Sequence, residues 1–150
     1  MLVIGADHAG FALKEQIKEW LLKKGYTLYD VGARFYQKHD DYPFFAEKLG
    51  KTVVHKNMRG ILICGSAEGV CIAANKVKGV RAVTAFDVKA ARISREHNDA
   101  NVLCLSGWWL KEKHAQNIVD AWLKTKFSGI ARHKRRILQI KNMEKHSYGI

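Results

Sequence analysis

Short apolar runs alternate with longer amphipathic stretches along this chain of 150 residues. A buried strand shows as a short continuous apolar run, whereas a helix repeats its apolar positions every three or four residues. The first pattern predicts five strands, at residues 2–6, 27–31, 61–64, 81–85 and 102–105. The second predicts helices at residues 11–24, 41–54, 70–77, 88–96 and 110–125, with a basic helix at about 129–145.

This alternation of strands and helices determines the expected fold. Strand–helix–strand units place their strands parallel, with the crossover helices covering both faces of the sheet. The sequence therefore predicts an α/β protein, a three-layer α/β/α sandwich around a five-stranded parallel, Rossmann-like sheet. The length fits a single domain over residues 1–150. The sandwich does not need the basic helix and tail at about 129–150, so we expect this extra C-terminal helix at a subunit interface.

The charge of the chain is strongly positive, with 26 Lys and Arg against 14 Asp and Glu and a formal net charge of +12. Such a surface suits nucleic acid, an anionic membrane or a phosphorylated small molecule, and it also fits a solvated basic helix without a ligand. Much of the excess lies in residues 132–136 and 141–145. Aromatic residues do not interleave with these runs, so nucleic acid is the less favoured partner.

Cysteine usage and the N-terminal residues indicate the compartment. Three cysteines, an odd number without metal-ligand spacing, fit a reducing environment better than a disulfide framework. The first residues lack the basic region of a signal peptide, and no apolar run reaches membrane-spanning length. We therefore expect a cytoplasmic protein without a membrane partner.

The turn after the third predicted strand carries the clearest chemical signal. Gly65, Ser66 and Gly69 lie between Cys64 and the following helix, so backbone N–H groups and a helix N-terminus converge there. This arrangement favours anions and predicts a lowered pKa for the Cys64 thiol. The hydroxyl of Ser66 can donate to an oxyanion. A buried cysteine in an ordinary strand–helix turn explains this stretch alone equally well.

Other polar residues lie near the ends of the predicted elements. Asp7 and His8 follow the first strand, at the edge where ligands bind in open α/β sheets, although an Asp there is often a helix cap. Tyr42 begins a helix and either supplies a hydroxyl to the site or packs locally. His97 precedes the last strand, so the fold alone does not place it near Cys64.

Four motifs resemble, in order, those of the ribose-5-phosphate isomerase B family, which includes the galactose-6-phosphate isomerase subunits. They are Gly5-Ala6-Asp7-His8-Ala9-Gly10, Asp41-Tyr42-Pro43, Cys64-Gly65-Ser66 with Ala73-Ala74-Asn75-Lys76, and Arg95-Glu96-His97-Asn98-Asp99-Ala100-Asn101. The likeness extends from the first strand to residues 132–136. It implies an aldose–ketose isomerase that acts through an enediol(ate), with no cofactor and no metal. It also implies a homodimer, or a tetramer, whose active sites are shared between subunits.

The resemblance also implies roles for individual residues. Cys64 would be the base that moves a proton between C2 and C1, and Ser66 would stabilise the oxyanion together with the amides of the turn. His97 would assist opening of the sugar ring. The residues expected to bind substrate are Asp7, Tyr42 and Asn98 at its hydroxyls, His8, Arg132 and Arg136 at its phosphate, and Gly65 and Gly69 in the turn.

Three residues depart from the family pattern. Ala67 replaces a usual glycine, which costs about 1–2 kcal/mol if this position has a positive φ. Glu68 would raise the pKa of Cys64 by like-charge repulsion, or would itself act as the base. Trp108 stands where many members carry an arginine that helps to bind phosphate.

These departures bear on the choice of substrate. We expect ribose 5-phosphate, interconverted with ribulose 5-phosphate, and the alternative within the class is galactose 6-phosphate or allose 6-phosphate. A catalytically idle, basic nucleic-acid-binding protein is the alternative from a different class.

Overall fold

The computed structural model describes residues 1–146, so residues 147–150 of the predicted tail lie outside the described part. Strands and helices alternate in the predicted order. The strands are β1 (Leu2–Ala6), β2 (Leu28–Asp30), β3 (Arg59–Cys64), β4 (Ala82–Thr84) and β5 (Val102–Ser106). The helices are α1 (Phe11–Lys23), α2 (Tyr42–His55), α3 (Glu68–Ala74), α4 (Val88–Asn98), α5 (Glu112–Lys124) and α6 (Ala131–His146).

All five strands belong to one parallel sheet with the order β2-β1-β3-β5-β4. One apolar core lies between the sheet and helices α1, α4 and α5, where Ile17, Ile118 and Trp122 are fully buried. The other lies between the sheet and helices α2 and α3, around Leu49 and Val70. The predicted three-layer sandwich with a five-stranded parallel sheet is confirmed.

The strand order places the predicted motifs at one edge of the sheet. From β1 the chain first adds β2 on one side and then returns to add β3 on the other, so the direction of winding reverses between β1 and β3. Ligands of open α/β sheets bind in the crevice beyond the carboxyl ends of the strands at such a reversal. The turns that begin at Asp7 and at Cys64 flank this crevice.

Two helix boundaries differ from the predicted ones in ways that move site residues. Helix α3 begins at Glu68 because Ala67 adopts the left-handed conformation, with φ of 74°. Helical dihedral angles therefore start only at the next residue. Helix α4 continues to Asn98 and ends at Asp99, which has φ of 46°. His97 therefore lies on the last turn of a regular helix.

The basic C-terminal helix α6 packs on the end of α4. His133 and Ile137 are buried, while Arg132 and Arg136 are exposed. Near its C-terminal end, Glu144 Oε1 accepts a hydrogen bond of 2.9 Å from the backbone N–H of Gly79. Its predicted location at a subunit interface stays a prediction. None of the helices in residues 1–146 combines the length and apolarity that a membrane crossing requires.

Candidate active site

Three turns meet at the carboxyl edge of the sheet and fix one another. The N–H of Gly107, after β5, donates to the carbonyl of Cys64 at 2.8 Å, and the N–H of Trp108 donates to the carbonyl of Gly65 at 3.1 Å. The turn after β1 approaches equally closely, since a Cβ on Gly10 would lie 2.2 Å from the carbonyl oxygen of Ile63. The Cys64 thiol therefore lies among three turns whose backbones contact one another closely.

The Cys64 thiol lies between these turns with only 4% of the residue exposed. Burial raises its pKa above the ordinary value, while the backbone N–H groups of Val70, Ala67 and Ser66 oppose this effect by donating to the sulfur, and the charge of Asp7 adds to it. The expected lowering of the pKa is wrong for this chain, because desolvation outweighs the amides. The amides are nevertheless positioned to stabilise negative charge at this point.

The residues that depart from the family pattern lie on the same turn. Ala67 is fully buried and has the positive φ that makes an alanine costly, as anticipated. Glu68 is exposed in the first turn of α3, and its charge acts on Cys71 and Cys104, where it is a minor influence on the pKa of each thiol. The carboxylate that raises the pKa of Cys64 is Asp7. Ser66 is half-buried, and its Oγ accepts a hydrogen bond from the N–H of Glu68 at 3.3 Å.

Gly65 and Gly69 provide room for two aromatic rings beside the thiol. A Cβ on Gly69 would lie 2.7 Å from Cζ of Tyr42, so the phenol ring covers the start of α3. A Cβ on Gly65 would lie 2.4 Å from the indole of Trp108. Tyr42 is 40% exposed and Trp108 is 67% exposed, so both rings border the crevice and also contact solvent.

Asp7 is buried in the turn that leads from β1 into α1. It is 5% exposed, and its Oδ1 accepts a hydrogen bond of 2.9 Å from the N–H of Gly10 at the start of α1. Burial raises the pKa of this carboxyl group, against the lowering effect of the bond from Gly10. The bond closes the turn before α1, whose N-cap position is Gly10 without a side-chain cap, so the helix-cap interpretation is wrong and the substrate-binding role of Asp7 stays a prediction.

His8 has a partner that sequence reasoning missed. Its Nδ1 lies 2.8 Å from Oδ1 of Asp40, and its backbone N–H donates to the same oxygen at 2.8 Å. The hydrogen bond to Asp40, together with the charge of Asp7, raises the pKa of His8. Asp40 is 32 positions away in an irregular loop, so only its place directly before the Asp41-Tyr42-Pro43 motif could have drawn attention to it.

Asp7, His8 and Asp40 are also the residues that could hold a metal ion. Within the described part of the chain they form the one group of three whose ligand atoms all lie within 4.8 Å of one another. The 2.8 Å separation of His8 Nδ1 and Asp40 Oδ1 is that of a hydrogen bond, and a cation would have to break this pair. We therefore assign the cluster to hydrogen bonding.

The remaining predicted residues form a second cluster at the amino edge of the sheet. The rings of His97 and His133 lie 4.3 Å apart, and His133 shares a hydrogen bond of 2.7 Å with Ser128. Burial and the charges of His97, Arg132 and Arg136 lower the pKa of His133. Helix α4 returns antiparallel to the strands over 11 residues, about 16 Å, so one chain does not bring this cluster to Cys64.

Fold and site together define a parallel α/β protein whose candidate ligand site lies at the reversal of strand order. The model of the Ribose/Galactose Isomerase family matches residues 2–140. A probable ribose-5-phosphate isomerase B from Mycoplasma genitalium is 43% identical over 148 residues, covering 97% of each chain. Ribose-5-phosphate isomerase B from Escherichia coli is 38% identical over 144 residues, covering 95% of each.

Solved structures agree with these sequence matches. Ribose-5-phosphate isomerase B from Clostridium thermocellum superimposes with a TM-score of 0.92 at 43% identity, over 96% of this chain and 97% of that one. The Mycoplasma genitalium enzyme with bound ribulose-5-phosphate superimposes with a TM-score of 0.93 at 42% identity, over 97% of each chain. The chain belongs to the ribose/galactose isomerase family, and the predicted enzyme class, an isomerase, is confirmed.

Proposed function

We propose that the protein interconverts ribose 5-phosphate and ribulose 5-phosphate through an enediol(ate) intermediate. The observation that carries this proposal is the likeness to the Mycoplasma genitalium structure, which holds ribulose-5-phosphate and matches 97% of this chain at 42% identity. The crevice at the reversal of strand order offers what this reaction needs: a thiol, amide donors and hydrogen-bonding side chains around one point. The proposed reaction needs neither a metal nor an organic cofactor.

Cys64 is the proposed base that moves a proton between C2 and C1. The amides of Ser66, Ala67 and Val70 that reach its sulfur stabilise the thiolate, and donors of this kind also stabilise the developing oxyanion. A base works best when its pKa lies near the working pH, and burial holds the pKa of Cys64 above that range in the single chain. Positive groups added to the crevice would lower it.

A second copy of the chain is the proposed source of those groups. Within one chain, His97, Asn98, Arg132 and Arg136 lie at the opposite edge of the sheet from Cys64. A homodimer that places the amino edge of one subunit over the carboxyl edge of the other would complete both sites at once. The exposed guanidinium groups of Arg132 and Arg136 would then bind the substrate phosphate, since their planar donors match its oxygens.

The residues at the carboxyl edge are proposed to bind different groups of the substrate. Asp7 and Tyr42 are proposed to bind hydroxyl groups, and His8 is proposed to bind the phosphate. Trp108 supplies an exposed indole where a guanidinium would strengthen phosphate binding, so we expect a weaker hold on the phosphate than in members with arginine.

The test is the formation of ribulose 5-phosphate from ribose 5-phosphate by the purified protein in the presence of EDTA. Galactose 6-phosphate and allose 6-phosphate are assayed in parallel at the same concentrations. Turnover of ribose 5-phosphate with the highest kcat/KM of the three supports the proposal. A higher kcat/KM on a six-carbon phosphosugar would replace the substrate, and no turnover of any of them would remove the proposed activity.

A further inference from the structure

We propose that Asp40 is the positioning residue of His8: its carboxylate fixes the imidazole through Nδ1 and leaves Nε2 as the donor to the substrate phosphate. This inference rests on the proposed function of His8 as a phosphate ligand. Asp40 itself touches no substrate in this account, and acts only through the histidine.

The contact geometry supports this role. One oxygen of Asp40, Oδ1, lies 2.8 Å from His8 Nδ1 and accepts the backbone N–H of His8 at 2.8 Å. Two bonds to one residue fix both the main chain and the ring, so the imidazole cannot rotate without losing the second bond. The side chain of His8 remains 33% exposed while that of Asp40 is 7% exposed, so the ring reaches solvent from a buried anchor.

The Asp40 carboxylate is buried and therefore needs a positively charged neighbour. Its other oxygen, Oδ2, is buried and has no hydrogen-bond partner within residues 1–146. A buried carboxylate without further donors is costly unless a positive charge lies beside it. The ring of His8 is the group in contact with it, so the Asp40 carboxylate stabilises the imidazolium form of His8.

The groups around His8 favour its protonated, positively charged form. Asp7 faces it from the end of β1, Asp40 faces it from the loop before α2, and the ring of Tyr36 meets it edge-on at 6.4 Å. Two carboxylates against one imidazole raise the pKa of His8, with the bond to Asp40 as the largest cause. Phosphate binding through His8 is therefore present below this pKa and lost as the pH rises through it.

The loop that carries Asp40 is anchored to β1 and to the turn after it by hydrogen bonds at both of its ends, so the position of Asp40 is fixed. At its start, the N–H of Ala6 donates to the carbonyl of Gly32 at 2.8 Å, and the N–H of Ala33 returns a bond of 2.7 Å to Ala6. At its end, Asp40 bonds to His8. Asp40→Asn keeps an acceptor for both N–H groups and removes the charge, so this variant separates electrostatics from loop anchoring.

The experiment compares wild type, Asp40→Asn and Asp120→Asn, a control that removes a carboxylate on α5 paired with Lys24 and Lys124. We expect Asp40→Asn to lower the NMR titration midpoint of His8, because the largest cause of its raised pKa is removed. Inorganic phosphate should bind about tenfold more weakly near pH 7.5, and the KM for ribose 5-phosphate should rise similarly with kcat within about twofold. Asp120→Asn should match wild type in all three.

A double-mutant cycle excludes a merely structural role. In a His8→Gln background, Asp40→Asn should have no further effect on phosphate affinity, because the group it acts through is gone. An unchanged His8 titration in Asp40→Asn, or an equal loss of affinity in the His8→Gln background, would overturn the inference. Absence of isomerase activity in wild type would instead overturn the proposed function, while the titration and phosphate affinity would still test Asp40.

Discussion

The rings of His97 and His133 lie 4.3 Å apart, tilted by 31°, at the amino edge of the sheet, whereas Cys64 ends β3 at the carboxyl edge. Neither ring can reach the Cys64 thiol within its own chain. If the site is shared, defects at the two edges must complement each other. This relationship yields the most specific prediction about assembly.

Mixing two defective variants should therefore restore activity. Cys64→Ser damages the carboxyl edge, and Arg132→Ala with Arg136→Ala damages the amino edge. After random reassortment of equal amounts, half of the dimers are mixed and one of their two sites is intact, so about a quarter of wild-type activity should return. Activity is measured with substrate below KM, before and after subunit exchange. If activity does not rise on subunit exchange, the residues at the two edges do not form one shared active site.

Replacing Trp108 by arginine should improve substrate binding. A charge-assisted hydrogen bond to phosphate is worth about 1.5–3 kcal/mol, so Trp108→Arg should lower the KM for ribose 5-phosphate by roughly 10- to 100-fold. The matched control is Trp109→Arg, because that neighbouring ring is 64% exposed and packs on Phe86 at 5.9 Å. Equal KM changes in both variants would show a general effect of charge, contrary to this account.

Ala67→Gly should change stability little, although alanine is strained there. Relief of the left-handed strain gains about 1–2 kcal/mol. The variant loses about 0.8 kcal/mol with the buried methyl group and about 0.4–1 kcal/mol through the freer unfolded chain. The free energy of unfolding, measured with urea, should therefore stay within about 1 kcal/mol of wild type. A gain of about 1.5 kcal/mol would mean that the methyl group contributes no packing.

Thiol reactivity should follow the pKa order of the cysteines. The pKa of half-buried Cys71 is lowered to about 7, mainly by the thiol of Cys104, whereas burial raises that of Cys64. Because the thiolate is the nucleophile, iodoacetamide should modify Cys71 first, at a rate that rises through about pH 7. Peptide mass spectrometry at short times measures this order. Earlier modification of Cys64 would indicate that assembly has already lowered its pKa.

The sequence predicted the fold more completely than the site. Alternation of apolar runs and helical periodicity suffices for a parallel sandwich, and strand ends then place Asp7 and Cys64 at one edge. The His8–Asp40 pair could not be predicted, since no periodicity relates residues in a loop to a strand end 32 positions away. The pKa of Cys64 was predicted in the wrong direction because burial depends on packing that the local turn does not reveal.

The location of His97 shows that contacts between subunits cannot be predicted from the sequence of one chain. Its motif indicated the family, and the strand order assigned it to the edge opposite Cys64. Which residues of two copies meet is a property of an assembly, and a single chain carries no periodic signal for it. The shared site therefore remains a proposal that the mixing experiment tests.

The central claim, that Cys64 is the base of a phosphosugar isomerase, is tested most directly by comparing wild type and Cys64→Ser on ribose 5-phosphate. A positioned base contributes about 10²–10⁴-fold to the rate, so kcat should fall by that factor while ribose 5-phosphate binding, measured by calorimetry, persists. Near-normal turnover by Cys64→Ser would contradict the account and transfer the role of base to Glu68.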